Sequence, residues 1–226
     1  MREDGAGRPR LAFDHVQLAV EDLEEAAGRL RREHGLVALP GGRHPGRGTA
    51  NMIVPLGDSY LELIAVVDPA EAAARPTSMR VARAVAEGRT FAVWAARTDD
   101  LDAARARLAQ AGMELPAAAD GSRRRPDGVL LAWRMQELAP DASFGPLPFL
   151  IEWRLPPERY PGAAAAAHER RVTGVAAVRL GDPDPEAAAA RLRAVLAGDL
   201  SHTVARDRPG LLALVLDTAE GPLEIG

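Results

Sequence analysis

The sequence predicts an α+β fold built from a repeated strand–helix–strands unit. Two observations predict it. An alternating apolar strand that runs into an amphipathic helix occurs at residues 11–30, again at 91–108, and in weaker form at 175–192. Each copy is followed by a strand with one carboxylate among apolar residues, which is Glu62 in the first copy and Glu152 in the second. Because internal repetition of this kind fixes the architecture, we expect three units in the chain.

The boundaries of the units follow from the repeats and from changes in composition. The predicted divisions are a disordered N-terminus at 1–10, a first module at 11–67, a helical connector at 68–90, a second module at 91–155, a linker at 156–171 and a third, degenerate module at 172–226. The connector is rich in alanine and arginine. The third module is short and keeps few of the polar residues that mark the first.

The first strand of the first unit presents two different faces. With a period of two, Val16 and Leu18 point one way, whereas His15 and Gln17 point the other. The helix that follows begins after Asp22, and its apolar residues recur at helical spacing, which gives one apolar stripe. We expect the apolar face of the strand to pack on that stripe. His15 and Gln17 should therefore face the opposite side of the sheet.

Two segments rich in glycine and arginine are predicted to be loops. The first, at 40–48, has four glycines and two prolines in nine residues, and the second, at 120–128, mirrors it. One interpretation is a rim that binds an anionic or carbonyl substrate, and the alternative is a surface turn with solvated arginines. The candidate substrate-binding residues in and around these segments are Gln17, Arg43, His44, Thr49, Asn51, Arg123 and Arg125.

The last strand of each of the first two units carries a glutamate. A carboxylate among apolar side chains is costly unless it is paired, bound to a metal or protonated. Aligning the two strands on their carboxylates puts Glu152 in the place of Glu62, with Ile151 and Trp153 on the opposite face. Both glutamates are candidate catalytic proton carriers, and apolar neighbours would raise their pKa.

The composition excludes several classes of chemistry. The 226 residues include neither cysteine nor lysine, so thiol nucleophiles, Cys-ligated zinc, pyridoxal Schiff bases and the P-loop lysine are absent, and no nucleotide-binding glycine motif occurs. The net charge of −4 gives no reason to expect a nucleic-acid partner. No stretch approaches the length of a membrane span, and residues 1–10 do not resemble a signal peptide. We expect a cytoplasmic protein that binds a small molecule.

Two segments of the chain resemble a known superfamily. LAFDHVQLAVEDLEEAAGRL at 11–30 and GGRHPGRGTANMIVPLGDSYLELIAV at 41–66 are similar to the vicinal oxygen chelate superfamily, which includes glyoxalase I, bleomycin resistance proteins and extradiol dioxygenases. The second segment resembles more narrowly the glyoxalase-like proteins of that superfamily. The resemblance implies repeated βαβββ modules that form a cupped, mixed β-sheet, with helices on the convex face and a site in the concave face.

The resemblance also implies a divalent metal, which in the superfamily is held by the first and last strands of paired modules. His15, Glu62 and Glu152 fall on those positions, and their donor atoms suit Zn, Ni, Mn or Fe(II). Val93 takes the place of His15 in the second unit and cannot ligate a metal, so the implied site lacks a ligand. Use of the same cup without a metal is the alternative.

The function that the resemblance implies is a metal-assisted lyase or isomerase acting on a small carbonyl or oxygenated substrate in the cup. Glu62 or Glu152 would move the proton. Two alternatives stay open: a non-catalytic protein that binds a small molecule in the same cup, and a scaffold whose glutamates only pair with arginines. The sequence is also compatible with a homodimer. The superfamily constrains the shape of the cup and not its substrate.

Overall fold

The computed structural model describes residues 11–139, 141–196 and 200–226, and the predicted disordered segment at 1–10 lies outside them. The strands are β1 (Leu11–Ala19), β2 (Leu39–His44), β3 (Thr49–Pro55), β4 (Tyr60–Val66), β5 (Phe91–Thr98), β6 (Ala119–Arg124), β7 (Leu130–Gln136), β8 (Phe149–Trp153), β9 (Val172–Asp182), β10 (His202–Arg206), β11 (Gly210–Thr218) and β12 (Leu223–Ile225). The helices are α1 (Leu23–His34), α2 (Pro69–Ala73), α3 (Pro76–Ala86), α4 (Leu101–Gln110) and α5 (Pro185–Leu196). Within these ranges no helix is long and apolar enough to cross a membrane.

Two βαβββ modules form one curved, mixed sheet of eight strands in the order β2-β3-β4-β1-β5-β8-β7-β6. In each module the first strand pairs in parallel with the last, β1 with β4 and β5 with β8. The modules join through the antiparallel pair β1–β5. At the far edges, Arg123 Nη1 on β6 donates to Gly41 O on β2 at 2.7 Å, so the sheet nearly closes. The predicted fold class is confirmed.

Part of each glycine- and arginine-rich segment is a strand, so the prediction that these segments are loops was wrong in part. They contribute β2 and β6. A side chain at Gly41 would collide with Asn51, and one at Gly42, where φ is 141°, would lie 2.6 Å from Arg124 O. The composition is typical of a loop, but here the glycines allow the two edge strands to approach each other.

The convex face of the eight-stranded sheet carries α1, α4 and the main core. Strand residues such as Val16, Leu61 and Trp94 are fully buried there. Helix α1 begins after Asp22, whose carboxylate accepts a hydrogen bond from the first turn, and ends at Gly35 in the left-handed conformation. Because side chains alternate along a strand, the neighbours of these core residues point into the concave face.

The third module forms a separate four-stranded sheet in the order β10-β9-β11-β12. Its elements follow the same β-α-β-β-β order, but its first strand pairs in parallel with its second strand rather than with its last. Leu180, Leu192 and Leu214 join the core of the first two modules, so this sheet packs on their helix-bearing side. Its Glu224 forms an exposed ion pair with Arg179, away from the concave face.

The connector and the linker both contribute to the concave face. Helix α3 of the connector packs Val81 against Ile64 and covers one end of that face. From the linker, the hydroxyl of Tyr160 donates to Asp14 Oδ2 on β1 at 3.1 Å. Segments that the sequence presents as simple connections therefore help to enclose the cup.

Candidate functional site

A cavity of about 70 Å³ lies in the concave face of the eight-stranded sheet, with walls from both modules and from α3. Its polar lining includes His15, Gln17, His44, Asn51, Glu62 and Arg123. Its apolar lining includes Tyr60, Trp133, Phe149, Ile151 and Trp153. A single water molecule needs roughly 10–15 Å³ of such space, so the cavity suits a ligand, or part of one, with a few non-hydrogen atoms.

His15 is fixed in the wall of this cavity. Its Nδ1 lies 2.5 Å from Asp14 Oδ1, and because a carboxylate only accepts, we assign the Nδ1 proton to the imidazole. Asp14 also accepts from Trp153 Nε1 at 3.0 Å and from the Tyr160 hydroxyl at 3.1 Å. The imidazole stacks on Tyr60, with ring centroids 4.5 Å apart. These contacts orient the ring and leave Nε2 for the cavity.

The carboxylate of Glu62 is buried and held by amides and imidazoles. Oε2 accepts from Gln17 Nε2 at 2.9 Å, and Oε1 accepts from Asn51 Nδ2 at 2.5 Å. Oε2 lies 3.5 Å from His15 Nε2, and Oε1 lies 3.7 Å from His44 Nε2. Burial acts to raise the pKa of Glu62, but the two imidazoles and the Asn51 hydrogen bond outweigh it and hold the pKa below its usual value. Glu62 is therefore ionised at neutral pH, whereas the sequence predicted a raised pKa.

His44 completes the cluster of ionisable groups. Its Nδ1 lies 2.9 Å from Thr49 Oγ1 and its Nε2 lies 3.3 Å from Asn51 Nδ2. Since an amide nitrogen only donates, we assign the proton of His44 to Nδ1. Burial lowers the pKa of His44 to about 4, although Glu62 opposes this shift and Arg123 adds to it. The imidazole is thus neutral at neutral pH.

Two arginines bring positive charge to the cavity. Arg123 is 3% exposed, and its guanidinium donates to Gly41 O. Arg47 is half-buried and donates to Met135 Sδ at 3.6 Å. Burial lowers the pKa of both side chains, yet a guanidinium stays protonated in proteins. Neither arginine forms an ion pair within the described part of the chain, so both charges are available to an oxyanion or an anionic ligand.

A family match agrees with this fold. The glyoxalase-like domain family matches residues 13–196, which is most of the chain. The chain belongs to the glyoxalase-like domain family. This confirms the resemblance to the vicinal oxygen chelate superfamily that the first module suggested. No curated protein matches the sequence.

Several solved structures are similar to this glyoxalase-like protein, and one of them, with a TM-score above 0.5, agrees with its fold. A hypothetical protein from Staphylococcus aureus is 15% identical, with a TM-score of 0.69 over 95% of this chain and 85% of that one. Methylmalonyl-CoA epimerase from Streptomyces coelicolor, in complex with 2-nitronate-propionyl-CoA, is 21% identical, with a TM-score of 0.48 over 66% of this chain and 100% of that one. The epimerase from Mycobacterium tuberculosis is 21% identical, with a TM-score of 0.44 over 62% and 85% of the two chains. At such identities the likeness extends to the fold alone.

The glyoxalase-like cup brings together most of the predicted substrate-binding residues, which are Gln17, His44, Thr49, Asn51 and Arg123. Two of the predicted residues lie elsewhere. Arg43 is exposed on β2, and Arg125 pairs with Asp127 at 2.9 Å outside the cavity. Alternation along β2 explains the position of Arg43, because its neighbour His44 faces the cup. Arg125 lies beyond the end of β6.

The cup does not contain Glu152, so its predicted place beside Glu62 was wrong. Oε1 of Glu152 accepts from the backbone N–H of Leu101 at the start of α4, at 3.0 Å. Its Oε2 lies 3.7 Å from Arg134 Nη1. Glu152 therefore stabilises a helix terminus on the convex face and takes no part in the cavity.

Strand register explains this error. Phe149, Ile151 and Trp153 of β8 line the cavity, as Glu62 of β4 does, so Glu152 between two of them lies on the other face of the sheet. Aligning the two strands on their carboxylates therefore shifts one of them by an odd number of residues, and such a shift moves every side chain to the other face. The same shift explains why Trp153, predicted to face the helices, lines the cavity.

Asp14 is a functional candidate that sequence reasoning missed. Strict alternation assigns Asp14 to the apolar face of β1, but the pairing of β1 with β5 is irregular between Phe13 and His15. This irregularity lets both Asp14 and His15 reach the concave side. A charged residue at a predicted core position was the available signal. Ser78 and Arg80 on α3 were also missed, because the connector gave no sign that it covers the cup.

The residues of the cup do not fit the divalent metal that members of the superfamily commonly use. At the implied positions the first module offers His15 and Glu62, whereas the second offers Val93 or Ala95 and Ile151, which cannot ligate. Both oxygens of Glu62 already accept amide N–H groups. Across the described ranges, no group of three or more His, Cys, Asp or Glu side chains could hold a metal ion. The predicted set of metal ligands is not assembled, and we derive no step through a metal.

Proposed function

We propose that this glyoxalase-like protein is an isomerase or lyase that moves a proton on a small carbonyl compound bound in the cup. One observation carries the proposal. Nε2 of His15 and Oε2 of Glu62 lie 3.5 Å apart at the cavity, and Asp14 holds the far side of the imidazole. Two groups that exchange protons thus lie side by side in an enclosed space, as general acid–base catalysis requires.

In the proposed reaction, Glu62 takes the proton from the carbon next to the carbonyl group. The C–H bond breaks, an O–H bond forms on Glu62, and the electron pair moves to the carbonyl oxygen as an enolate. Gln17 and Asn51 hold the carboxylate in position for this step. Because Glu62 is a weak base, the rate depends on how well the site stabilises the enolate.

Arg123 supplies the positive charge for the enolate oxygen. Its guanidinium is buried, and an oriented charge in a site that excludes water stabilises an oxyanion more than it would in solution. This role takes the place of the metal that the superfamily implies. Glu62 then passes the proton it took across the 3.5 Å to Nε2 of His15, and the imidazolium that forms gives this proton to the product.

If the proton returns to a different atom of the enolate, the protein is an isomerase. If the enolate instead loses a leaving group from the carbon next to the one that was deprotonated, the protein is a lyase. Asp14 serves both outcomes, because its carboxylate stabilises the imidazolium that forms when His15 carries a second proton. Asp14 is therefore a positioning residue of the proposed site.

Exchange of carbon-bound hydrogen with solvent tests the proposal without knowledge of the substrate. The protein is incubated in D₂O with small oxo acids and hydroxy ketones, and proton NMR follows the signal of the carbon next to the carbonyl group. We expect exchange with the wild-type protein and its loss in Glu62→Gln. Exchange that persists in Glu62→Gln, or is absent for every carbonyl compound, contradicts the proposal.

A non-catalytic binding function is the alternative, and the apolar half of the cavity favours it. Trp133, Phe149 and Ile151 form a wall without ionisable groups, which suits retention of a ligand rather than chemistry on it. Ligands that raise the thermal stability of the wild-type and Glu62→Gln proteins equally, with no hydrogen exchange in either, would favour this function.

A further inference from the structure

The first turn of α3 lies at the cavity, and its backbone N–H groups have no acceptor within the helix. Thr77 and Ser78 line the cavity, and Ser78 is buried. The helix starts with Pro76, and its N-cap residue Arg75 makes no side-chain capping hydrogen bond. This lack of an intrahelical acceptor applies to the N–H groups of both Thr77 and Ser78. A helix N-terminus attracts negative charge, although this feature alone does not define a site.

Arg80, one turn further along α3, provides an independent sign of a missing ligand. It is 2% exposed and lines the same cavity. Its two terminal nitrogens donate to the carboxylate of Glu137 at 3.1 and 2.9 Å. Its Nε–H is buried and has no hydrogen-bond partner within the described part of the chain. A buried donor without an acceptor costs free energy, which an acceptor from a ligand would recover.

Arg47 approaches the same end of the cavity from the turn between β2 and β3. Arg47 donates to Met135 Sδ, and a thioether sulfur is a weak hydrogen-bond acceptor. Within the described ranges Arg47 has no ion-pair partner. Three arginines and two glutamates line the cavity, which leaves an excess of one positive charge (3 − 2 = 1). One monoanionic group would balance the lining.

We propose that Arg47, Arg80 Nε and the first turn of α3 bind the carboxylate of the substrate, so that the substrate is a small oxo acid. The inference rests on the proposed function and names its substrate class. The carboxylate would lie at the α3 end, and the carbon that loses its proton would lie toward Glu62. A carboxylate fits better than a phosphate, because the lining offers one excess positive charge, which a monoanion balances.

Pyruvate and its neutral amide, pyruvamide, form a matched pair of probes for this site. Both have six non-hydrogen atoms and the same carbonyl and methyl groups. They differ in that pyruvate carries a carboxylate, which Arg47 would bind, whereas pyruvamide carries a neutral amide. We expect the wild-type protein to bind pyruvate about tenfold or more tightly than pyruvamide by titration calorimetry. Arg47→Gln should remove that preference, Arg47→Lys should keep part of it, and Arg124→Gln, at an exposed arginine outside the cavity, should leave it unchanged.

Thermal unfolding of each variant shows that it is folded before its binding is compared. Equal affinity of the wild-type protein for pyruvate and pyruvamide, or a preference that survives Arg47→Gln, would overturn the carboxylate site. Absence of pyruvate binding throughout the millimolar range would also overturn it. Inorganic phosphate that binds more tightly than pyruvate and loses affinity in Arg47→Gln would replace the carboxylate assignment with a phosphate one.

The same probe separates this inference from the proposed function, because pyruvate also carries exchangeable methyl hydrogens. Charge-dependent binding of pyruvate without hydrogen exchange would support the carboxylate site and contradict the proposed reaction. If pyruvate and pyruvamide both exchange their methyl hydrogens and bind with equal affinity, the result would support the reaction and contradict the carboxylate site. Binding and exchange that are both lost in Arg47→Gln, with exchange alone lost in Glu62→Gln, would support both.

Discussion

The two halves of the cup have the same strand order and contrasting side chains. Glu62 on β4 and Ile151 on β8 both face the cup, and so do the pair Asn51 on β3 and Trp133 on β7. The first member of each pair is polar and belongs to a hydrogen-bonded network, whereas the second is apolar and belongs to a separate hydrophobic cluster. His15 follows the same rule, because it faces Ala95 across the junction of the modules.

In both halves a glycine on an edge strand packs against a side chain of the neighbouring strand. Gly41 on β2 leaves room for the amide of Asn51, and Gly121 on β6 leaves room for the indole of Trp133. In the proposed reaction the first module supplies the groups that transfer the proton, whereas the second supplies Arg123 and an apolar wall. The wall matters for the chemistry, because it lowers the local dielectric and strengthens the interactions of Glu62 and Arg123 with a bound substrate.

The largest expected effect comes from removing the charge in the polar half. Glu62→Gln keeps the shape of the side chain but cannot accept a proton, so the rate of hydrogen exchange should fall by about a hundred- to ten-thousand-fold. The matched control is Glu152→Gln on the convex face. It should cost about 1 kcal/mol of stability at the start of α4 and leave the exchange rate unchanged. Similar losses of rate in both variants would mean that the two halves share the chemistry.

Placing a charge in the apolar half should be costly in stability. Ile151→Glu would bury a carboxylate where no amide donors replace those of Gln17 and Asn51, and we expect the free energy of unfolding in urea to fall by about 3–5 kcal/mol. Ile151→Leu, the control for packing, should cost less than about 1.5 kcal/mol. A stable Ile151→Glu protein would show that the second half is hydrated and that the contrast between the halves is weaker than the side chains suggest.

A smaller effect should appear in the dependence of stability on pH. The pKa of His44 is 6.5 in the unfolded chain and about 4 in the folded protein. Between these values the unfolded chain binds a proton that the folded protein does not, so stability falls as the pH is lowered from 7 to 4, by at most about 3 kcal/mol from this residue. Above pH 7 His44 should have no effect.

Urea unfolding at several pH values measures this contribution in wild type and in His44→Gln. The variant should lose less stability than the wild type between pH 7 and pH 4. His34→Gln, at the partly exposed end of α1, is the control and should follow the wild type. Parallel curves for all three proteins would mean that the His44 pKa is not lowered.

The smallest expected effect is that of metal removal. Because the second half supplies no ligands and the oxygens of Glu62 are held by amides, EDTA should change neither the exchange rate nor the melting temperature. Elemental analysis after incubation with Zn, Ni, Mn or Fe(II) should find less than one metal per chain. One tightly bound metal per chain that disappears in His15→Ala would show that the polar half is a metal site.

Much of the fold could be predicted from the sequence, because repetition and periodicity are local signals. The helix capped by Asp22, the alternation around His15 and the carboxylate at Glu62 are all visible in short windows. The failures have one physical cause, which is that register and close approach are set by partner strands. The orientation of β8 places Ile151 and Trp153 in the cup and Glu152 on the other face, and an irregularity in β1 brings Asp14 to the concave side.

The sequence by itself determined the module, its repetition, the absence of cysteine and lysine chemistry, and the candidate polar residues of the first half. Only the tertiary structure decided which of them meet. His15, His44 and Glu62 lie on three different strands, and Arg47 and Arg80 approach from a turn and from a connecting helix. A spacing of 45 residues between Gln17 and Glu62 becomes a 2.9 Å hydrogen bond because β1 and β4 pair in parallel, and no local pattern encodes such a contact.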